Sequence, residues 1–342
     1  MVVALRTRQL GKNGPQVPAL GFGLMGLSAW YGDFPSDEER FAILDRAHEL
    51  GETFWDSADI YQDSEDLVGK WFARTGKRND IFLSTKFAFR WKEGELPTIT
   101  GNAAYVKEAC AKSLKRLGVD HIDLYYYHRV DTTVPIEETV GAMSELVKEG
   151  KVKYLALSSC SADTLRRAYA VHPIHAIQVE YSPFCLEIET PEIGILEACR
   201  ELGVAIIAYC PLGRGMLTGV YTSPDDFQEG DMRKATPLLQ AKNFETNYKL
   251  VQKISAIGKK RNVTPGQMSL AWIMAQGEDF IPIPGTKKIK YLEENLGSLD
   301  FTLTAEEVQE IRDLCNTREI AGSLDPDWVD NPSFQDTPPM KN

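Results

Sequence analysis

No C-x-x-C pair occurs anywhere in these 342 residues; the six cysteines, Cys110, Cys160, Cys185, Cys199, Cys210 and Cys315, stand far apart. Such spacing suggests neither a disulfide framework nor a zinc ribbon, and it fits reduced thiols in a cytoplasmic protein. Basic residues are in deficit: 38 Lys and Arg face 49 Asp and Glu, a net charge of −11. Nucleic acid or an anionic membrane surface would repel this chain, so neither is the expected partner. Long apolar runs are missing too, and nothing approaches the ~20 residues of a membrane span. The opening "MVVALRTRQL" puts Arg6 and Arg8 after its apolar residues, the reverse of a secretory signal. Histidine is scarce, with five in all. His172 and His175 have Pro173 between them and no third ligand nearby in sequence, so no metal is expected.

What is abundant is alternation. Hydrophobic residues make up 43% of the chain, enough for a large core. From Ala19 onward, short β-type runs alternate with helix-length amphipathic segments. Strands are expected at 19–23, 53–58, 81–87, 122–128, 152–159, 176–182, 204–210 and 280–285. The helices between them carry start and stop signals. Residues 36–50 open with "SDEE", a capping box; 102–117 stop at Gly118; 135–148 begin with proline and stop before Gly150. "HELG", "KRLG", "VKEG" and "RELG" repeat one ending, a helix closed by glycine just before the next strand.

Eight β-α units over roughly 300 residues predict an α/β (β/α)8 TIM barrel rather than a doubly wound sheet of about six strands. One barrel domain is expected over residues 1–342, with its core at about 5–320. Three additions are expected: a leading hairpin turning at Asn13-Gly14, extra helices at 244–260 and 304–314, and an irregular tail over 321–342. Trp328 and Phe334 in that tail could cover a pocket.

"GFGLMG" at 21–26 has the G-x-G-x-x-G spacing of a dinucleotide-binding turn, which works only where a helix follows to receive the pyrophosphate. The next ten residues, "LSAWYGDFPS", carry Gly32 and Pro35 and show no helical period before Ser36. A Rossmann domain is therefore not expected. In a barrel the chemistry lies at the C-terminal ends of the strands. Asp56 ends the second strand, Tyr61 follows in its loop, Lys86 ends the third and His128 the fourth. Adjacent strands lie about 4.8 Å apart, so these four could converge. A tyrosine is a poor acid at neutral pH unless a cation favours the phenolate. Lys86 could supply that cation, and Asp56 could keep Lys86 charged. His128 could hydrogen-bond the same carbonyl oxygen. A set that polarises and protonates a carbonyl suits hydride transfer from a cofactor.

The runs "DSADIY", "STKF", "YYYHRVD", "QVEYS", "AYCPLGRGML" and "IPIPGTKKIKYLEEN" resemble the aldo-keto reductase superfamily over residues 5–320. "GFGLMGLS" and "HRVD" resemble its branch of perakine, auxin-induced-type and pyridoxal reductases. The resemblance implies NADPH-dependent reduction of aldehydes or ketones by a tetrad of Asp56, Tyr61, Lys86 and His128, with Tyr61 as the acid. Gly23 would admit the nicotinamide end, Ser158, Ser159 and Gln178 would hold its carboxamide, and Tyr209 would stack on its ring. Pro211, Leu212, Gly213 and Gly215 would wrap the pyrophosphate, with Leu217 also on the cofactor. Gly285, Thr286 and Lys287 would meet the adenosine 2′-phosphate, and Glu294 and Asn295 the adenine.

The charge pattern speaks for the phosphate site independently: "GTKKIK" sets Lys287, Lys288 and Lys290 at a helix start, where N–H groups also favour an anion. Three positions depart from the family pattern. Ser159 stands where asparagine is common, Ala156 where the neighbouring strand often has glycine, and Tyr291 where other branches carry an arginine for the 2′-phosphate. A substrate wall is expected from Trp30, Tyr31, Phe87, Phe89, Trp91, Arg129 and Met216, suiting a small carbonyl compound with an apolar or aromatic body.

Singly, each residue has an ordinary explanation: Asp56 could cap a turn, Tyr61 could be a loop aromatic, Lys86 could be a solvated strand end. Their placement at three successive strand ends is what speaks for a site. Two other functions would use the same residues. A cofactor-binding regulatory subunit resembling potassium-channel β-subunits would share fold and tetrad, and a Schiff-base lyase would use Lys86 as nucleophile. Monomer and homo-oligomer are equally compatible with the sequence.

Overall fold

The computed structural model describes residues 5–91, 97–317, 320–324 and 333–340. A hairpin of β1 (Thr7–Gln9) and β2 (Gln16–Pro18) comes first. The strands β3 (Phe22–Gly23), β4 (Phe54–Asp56) and β5 (Phe82–Phe87) follow, then a small hairpin of β6 (Phe89–Arg90) and β7 (Thr98–Ile99). After it come β8 (Ile122–Tyr127), β9 (Val152–Ser158), β10 (Ala176–Glu180), β11 (Ala205–Tyr209) and β12 (Phe280–Pro282). The strands other than the two hairpins pair in parallel, in chain order, as one eight-stranded sheet. Its edges meet: Gly21 N donates to Pro282 O at 3.0 Å and Gly23 N to Pro284 O at 3.2 Å, closing the barrel.

Pro282 and Pro284 have no N–H to return, so this seam is bonded in one direction only. Its backbones approach closely. A Cβ on Gly23 would lie 2.7 Å from Ile283 O, and one on Gly285 would lie 2.6 Å from Gly23 O. Barrel closure therefore requires the small residues that "GFGLMG" supplies. One turn of helix, α1 (Met25–Ser28), does follow these glycines where the sequence predicts none before Ser36. It has no capping side chain and is too short to serve as a dinucleotide-binding helix.

Outside the sheet run α2 (Asp37–Glu49), α3 (Ser64–Thr75), α4 (Ala103–Leu117), α5 (Ile136–Lys148), α6 (Ala162–Val171) and α7 (Ile195–Leu202). They are followed by α8 (Ala241–Lys259), α9 (Pro265–Met274), α10 (Ile289–Leu296) and α11 (Ala305–Thr317). The capping box of α2 is formed: Glu39 N donates to Ser36 Oγ and Ser36 N to the Glu39 carboxylate. Asn102 caps α4, and Gly118 ends it at φ 64°. Among the described residues no helix is long and apolar enough to cross a membrane.

Sheet residues facing outward pack on the helices, among them Trp55, Phe87, Tyr125 and Tyr127. Inward-facing Phe54, Leu124, Tyr126, Ile207 and Ile281 form a second cluster with Leu10 and Val17 of the hairpin. The hairpin thus plugs the end of the barrel where the strands begin; Lys12 N donates to Gly203 O just before β11. Its connection is wider than the two-residue turn expected at Asn13-Gly14. Residues 10–15 bridge the last pair, Gly14 N bonds Gly11 O at 3.1 Å, and Asn13 alone of that dipeptide is left-handed, at φ 62°.

The tail segment 333–340 has no helix or strand but is tied down. Phe334 N donates to Ser159 O, and Arg167 donates to Thr337 O and Pro338 O at 2.8 and 2.7 Å. Phe334 therefore lies against the loop after β9; Trp328 falls outside the described residues.

Glu52, just before β4, is 1% exposed and both carboxylate oxygens lack a partner. Burial pushes this carboxyl well above its ordinary value. Its contribution to stability is full below the unfolded carboxylate pKa near 4.3 and is lost as pH rises toward the folded value. Glu52→Gln should therefore gain stability relative to the parent between pH 5 and pH 7, at up to ~1.4 kcal/mol per pH unit. Urea denaturation at each pH measures this; two parallel stability curves would show Glu52 to be ionised in the fold.

Candidate active site

Side chains alternate along a strand, so Ser84 and Lys86 of β5 both point into the barrel. Lys86 is fully buried, and its Nζ donates to Asp56 Oδ1, to Ser57 O at 2.7 Å and to Tyr61 OH at 3.2 Å. Asp56 Oδ2 accepts from Ser84 Oγ at 2.8 Å and Gln178 Nε2 at 3.0 Å. The ammonium also lies over the rings of Tyr61 and Tyr126, 4.8 and 5.5 Å from their centroids. His128 stands edge-on to Tyr61 with ring centroids 5.8 Å apart. The strand ends thus bring Asp56, Tyr61, Lys86 and His128 into one cluster.

Burial opposes the charge on Lys86, but Asp56 and Tyr61 outweigh it and raise the lysine above its ordinary value. The ammonium stays charged. For Tyr61 the balance goes the other way from the sequence expectation: burial raises the phenol, Lys86 pulls it down, and burial wins. Tyr61 therefore remains protonated at neutral pH. Burial, then Lys86 and Arg129, hold His128 well below its usual range, so the imidazole is neutral. Its Nδ1 is buried without a partner.

The turn carrying Tyr61 is held from behind by groups the sequence did not reveal. Gln62 is left-handed, at φ 47°, and its carbonyl accepts from Arg116 of α4. Arg116 also donates to Asp59 O at 3.0 Å and pairs with Glu65 at 3.0 Å and Asp66 at 2.7 Å. Glu65, fully buried, accepts from Thr85 Oγ1 at 2.7 Å, next to Lys86. Arg116 and Glu65 so tie the strained turn to the lysine's strand. In the sequence Arg116 is one more charged residue near a helix end, and no local pattern marks it.

The residues that the resemblance assigns to the cofactor lie on or beside β3, β9, β10, β11, the loop after β11 and α10. Ser158 and Ser159 are buried at the end of β9. Gln178 is there too, but its amide is already given to Asp56. Tyr209 ends β11 half-buried, followed by a loop in which Cys210, Gly213, Arg214 and Gly215 all have positive φ. Arg214 anchors that loop by pairing with buried Glu180 at 2.7 Å. Pro211 and Leu212 are buried beside it. Leu217 is wholly inside the helix-side core, so its side chain is not available to a ligand. The lysine trio is split. Lys287 donates to Tyr31 O and to Asp33 O at 2.8 Å, across to the loop after α1. Lys288 and Lys290 instead both lie 5.8 Å from the Tyr291 ring, at the start of α10, which has no capping side chain. Gly285 and Thr286 precede this start; Glu294 is half-buried and Asn295 buried on α10.

Ser159 sits in the left-handed region, at φ 49°, where asparagine is tolerated better than serine. Ser159→Asn should raise stability by about 0.5–1 kcal/mol, read as a higher unfolding midpoint. An unchanged or lower midpoint would mean the serine hydroxyl matters more than the backbone strain.

Of the substrate-wall residues, Trp30 packs edge-on to Tyr61 at 5.7 Å and Phe89 edge-on to His128 at 5.3 Å. Phe87 does not reach the site. It is one residue beyond inward-pointing Lys86, so it faces outward and stacks on Tyr125 and Tyr127. Met216 is fully buried in the same outer core. Tyr31 lies beneath the Arg233 guanidinium, 5.0 Å from its ring centroid, as part of the loop contacts there. Trp91 is 58% exposed and borders a 190 Å³ cavity outside the barrel with Asp59, Arg90 and Lys112. Among the described residues no group of His, Cys, Asp and Glu could hold a metal.

A closed barrel with a buried polar cluster at the carboxyl ends of its strands is the architecture of a barrel enzyme. The chain belongs to the aldo/keto reductase family, whose model matches residues 19–316. It is an oxidoreductase of that family. It is 58% identical to aldo-keto reductase str7 of Strobilurus tenacellus, over 93% of this chain and 94% of that one. It is 51% identical to aldo-keto reductase yakc [NADP(+)] of Schizosaccharomyces pombe, over 99% of each. The solved glycerol dehydrogenase of Gluconobacter oxydans superposes with a TM-score of 0.82 at 25% identity, over 92% of this chain and 97% of that one.

Proposed function

We propose that this chain is an NADPH-dependent carbonyl reductase for small aldehydes and ketones, with Tyr61 as the proton donor. The observation that carries the reading is the Lys86 ammonium shared between Asp56 and the Tyr61 hydroxyl. The residues present suit a nicotinamide dinucleotide. His128 Nδ1 is an orphaned buried atom at the barrel mouth, and the uncapped start of α10 with Lys288 and Lys290 suits a phosphate. The NADP(+) in the name of the relative yakc supports the same cofactor. Ser158, Ser159 and Gln178 would hold the carboxamide, Tyr209 the ring, the loop 211–217 the pyrophosphate, Lys288 and Lys290 the 2′-phosphate, and Glu294 and Asn295 the adenine.

When bound, the dihydronicotinamide supplies a hydride to the carbonyl carbon and is left oxidised. The chain's own groups manage the oxygen. Tyr61 and neutral His128 hydrogen-bond it, which polarises the carbonyl. As negative charge collects there, the oxygen becomes far more basic than a phenolate, so even a phenol raised by burial surrenders its proton. Lys86 then neutralises the phenolate, and Asp56 keeps Lys86 charged and in place. A lysine held protonated by two partners cannot attack a carbonyl, which weighs against the Schiff-base reading. The purified chain given NADPH and a panel of aromatic and aliphatic aldehydes should lose the near-ultraviolet absorbance of NADPH and form the matching alcohols. Bound NADPH with no turnover across the panel would overturn the proposal.

A further inference from the structure

Arg129 follows His128 at the end of β8, and one corner of its guanidinium is pinned. Nη1 donates to His128 O at 3.0 Å, Ser158 Oγ at 3.2 Å and Ser159 Oγ at 3.1 Å. All three acceptors are neutral, and no carboxylate among the described residues pairs with it. The other enclosed cations around the site do have counter-ions: Lys86 has Asp56, Arg116 has Glu65 and Asp66, and Arg214 has Glu180. Acid is not in short supply in a chain of net charge −11. Leaving a half-buried guanidinium unpaired is costly, and the cost falls away if a ligand brings the anion.

We infer that Arg129 binds a carboxylate on the substrate, so that the preferred substrates are oxo-acids, aldehydes or ketones carrying a carboxylate on an apolar body. This rests on the reductase reading above. The free edge of the guanidinium, Nε and Nη2, makes no hydrogen bond among the described residues and matches a planar carboxylate with two parallel bonds. Its charge reaches the reaction centre: after burial and Lys86, it helps depress the proton affinity of His128. The anion would thus sit beside the carbonyl, while Trp30 and Phe89, packed on Tyr61 and His128, face the apolar body. The cofactor's phosphates are assigned elsewhere, to the loop after β11 and the start of α10, so they do not account for Arg129.

The matched pair 4-carboxybenzaldehyde and 4-methylbenzaldehyde tests this, because the two differ chiefly in charge at one end. Wild type should show at least about tenfold higher kcat/KM for the carboxylated aldehyde, and Arg129→Gln should lose that ratio whatever its absolute rate. Benzoate binding by calorimetry, with benzamide as the neutral control, gives a readout independent of turnover: wild type should bind benzoate and Arg129→Gln should not. Equal kcat/KM for the two aldehydes in wild type, or equal benzoate binding by both proteins, would overturn the assignment. Failure to reduce either aldehyde while benzoate still binds through Arg129 would sink the reductase reading and leave the carboxylate site standing.

Discussion

Tyr61→Phe is expected to lower kcat by about 10²–10⁴-fold, the range of a lost general acid, with NADPH affinity nearly unchanged. The substitution removes a hydroxyl and nothing else. The ring is 7% exposed and keeps its edge contacts with Trp30 and His128, so the pocket's shape survives. Lys86 loses one of its three acceptors but keeps Asp56 and Ser57 O. What disappears is, among the described residues, the only phenol beside both a charged ammonium and a neutral imidazole. The pH profile adds a second readout. Burial raises Tyr61, so the parent enzyme should hold its activity through neutral pH and lose it only on an alkaline limb above the ordinary tyrosine value. The variant's residual rate should lack that limb. Single-turnover kinetics with cofactor fluorescence separates the chemical step from binding. A variant that keeps a tenth or more of the parent rate would remove Tyr61 from the chemistry.

The sequence made the frame readable because each strand is short and bounded. Glycine stops such as Gly118 and the capping box at Ser36 marked helix ends by local chemistry, and local chemistry survives in any tertiary setting. Asp56, Lys86 and His128 were visible for the same reason, as polar residues where strands stop. Position along the chain does not give direction. Phe87 and Lys86 are neighbours, yet the two-residue period of a strand sends them to opposite faces, so only Lys86 enters the site. Met216 and Leu217 follow the left-handed Arg214 and Gly215, and both of their side chains turn into the outer core. Lys287 looked like one of three equivalent cations until the backbone carbonyls of Tyr31 and Asp33, over 250 positions away, claimed it. Arg116 and Glu65 were invisible because their importance lies in what folding brings to them. The glycines of "GFGLMG" stand out in the sequence, but their part in closing the barrel depends on Ile283 and Gly285 at the far end of the chain.

Lys86→Met is expected to abolish turnover and to cost about 3–5 kcal/mol of stability, the usual result of stripping one partner from a buried ion pair. Asp56 is 2% exposed and would be left with Ser84 and Gln178 as donors but no cation. The variant should therefore be destabilised at neutral pH, because its buried carboxyl has lost its counter-charge. Adding Asp56→Asn removes the stranded charge. The double variant should regain most of the lost stability by urea denaturation, while turnover stays absent because Tyr61 has no cation to stabilise its phenolate. This contrast separates two roles that a single substitution confounds: holding the barrel mouth together and preparing the acid. If the double variant were both stable and active, the ion pair would be structural only, and Tyr61 would have to work without it. If the single variant kept full stability at neutral pH, the Asp56 carboxylate would have found another partner, and the pairing with Lys86 would no longer explain why either residue is there.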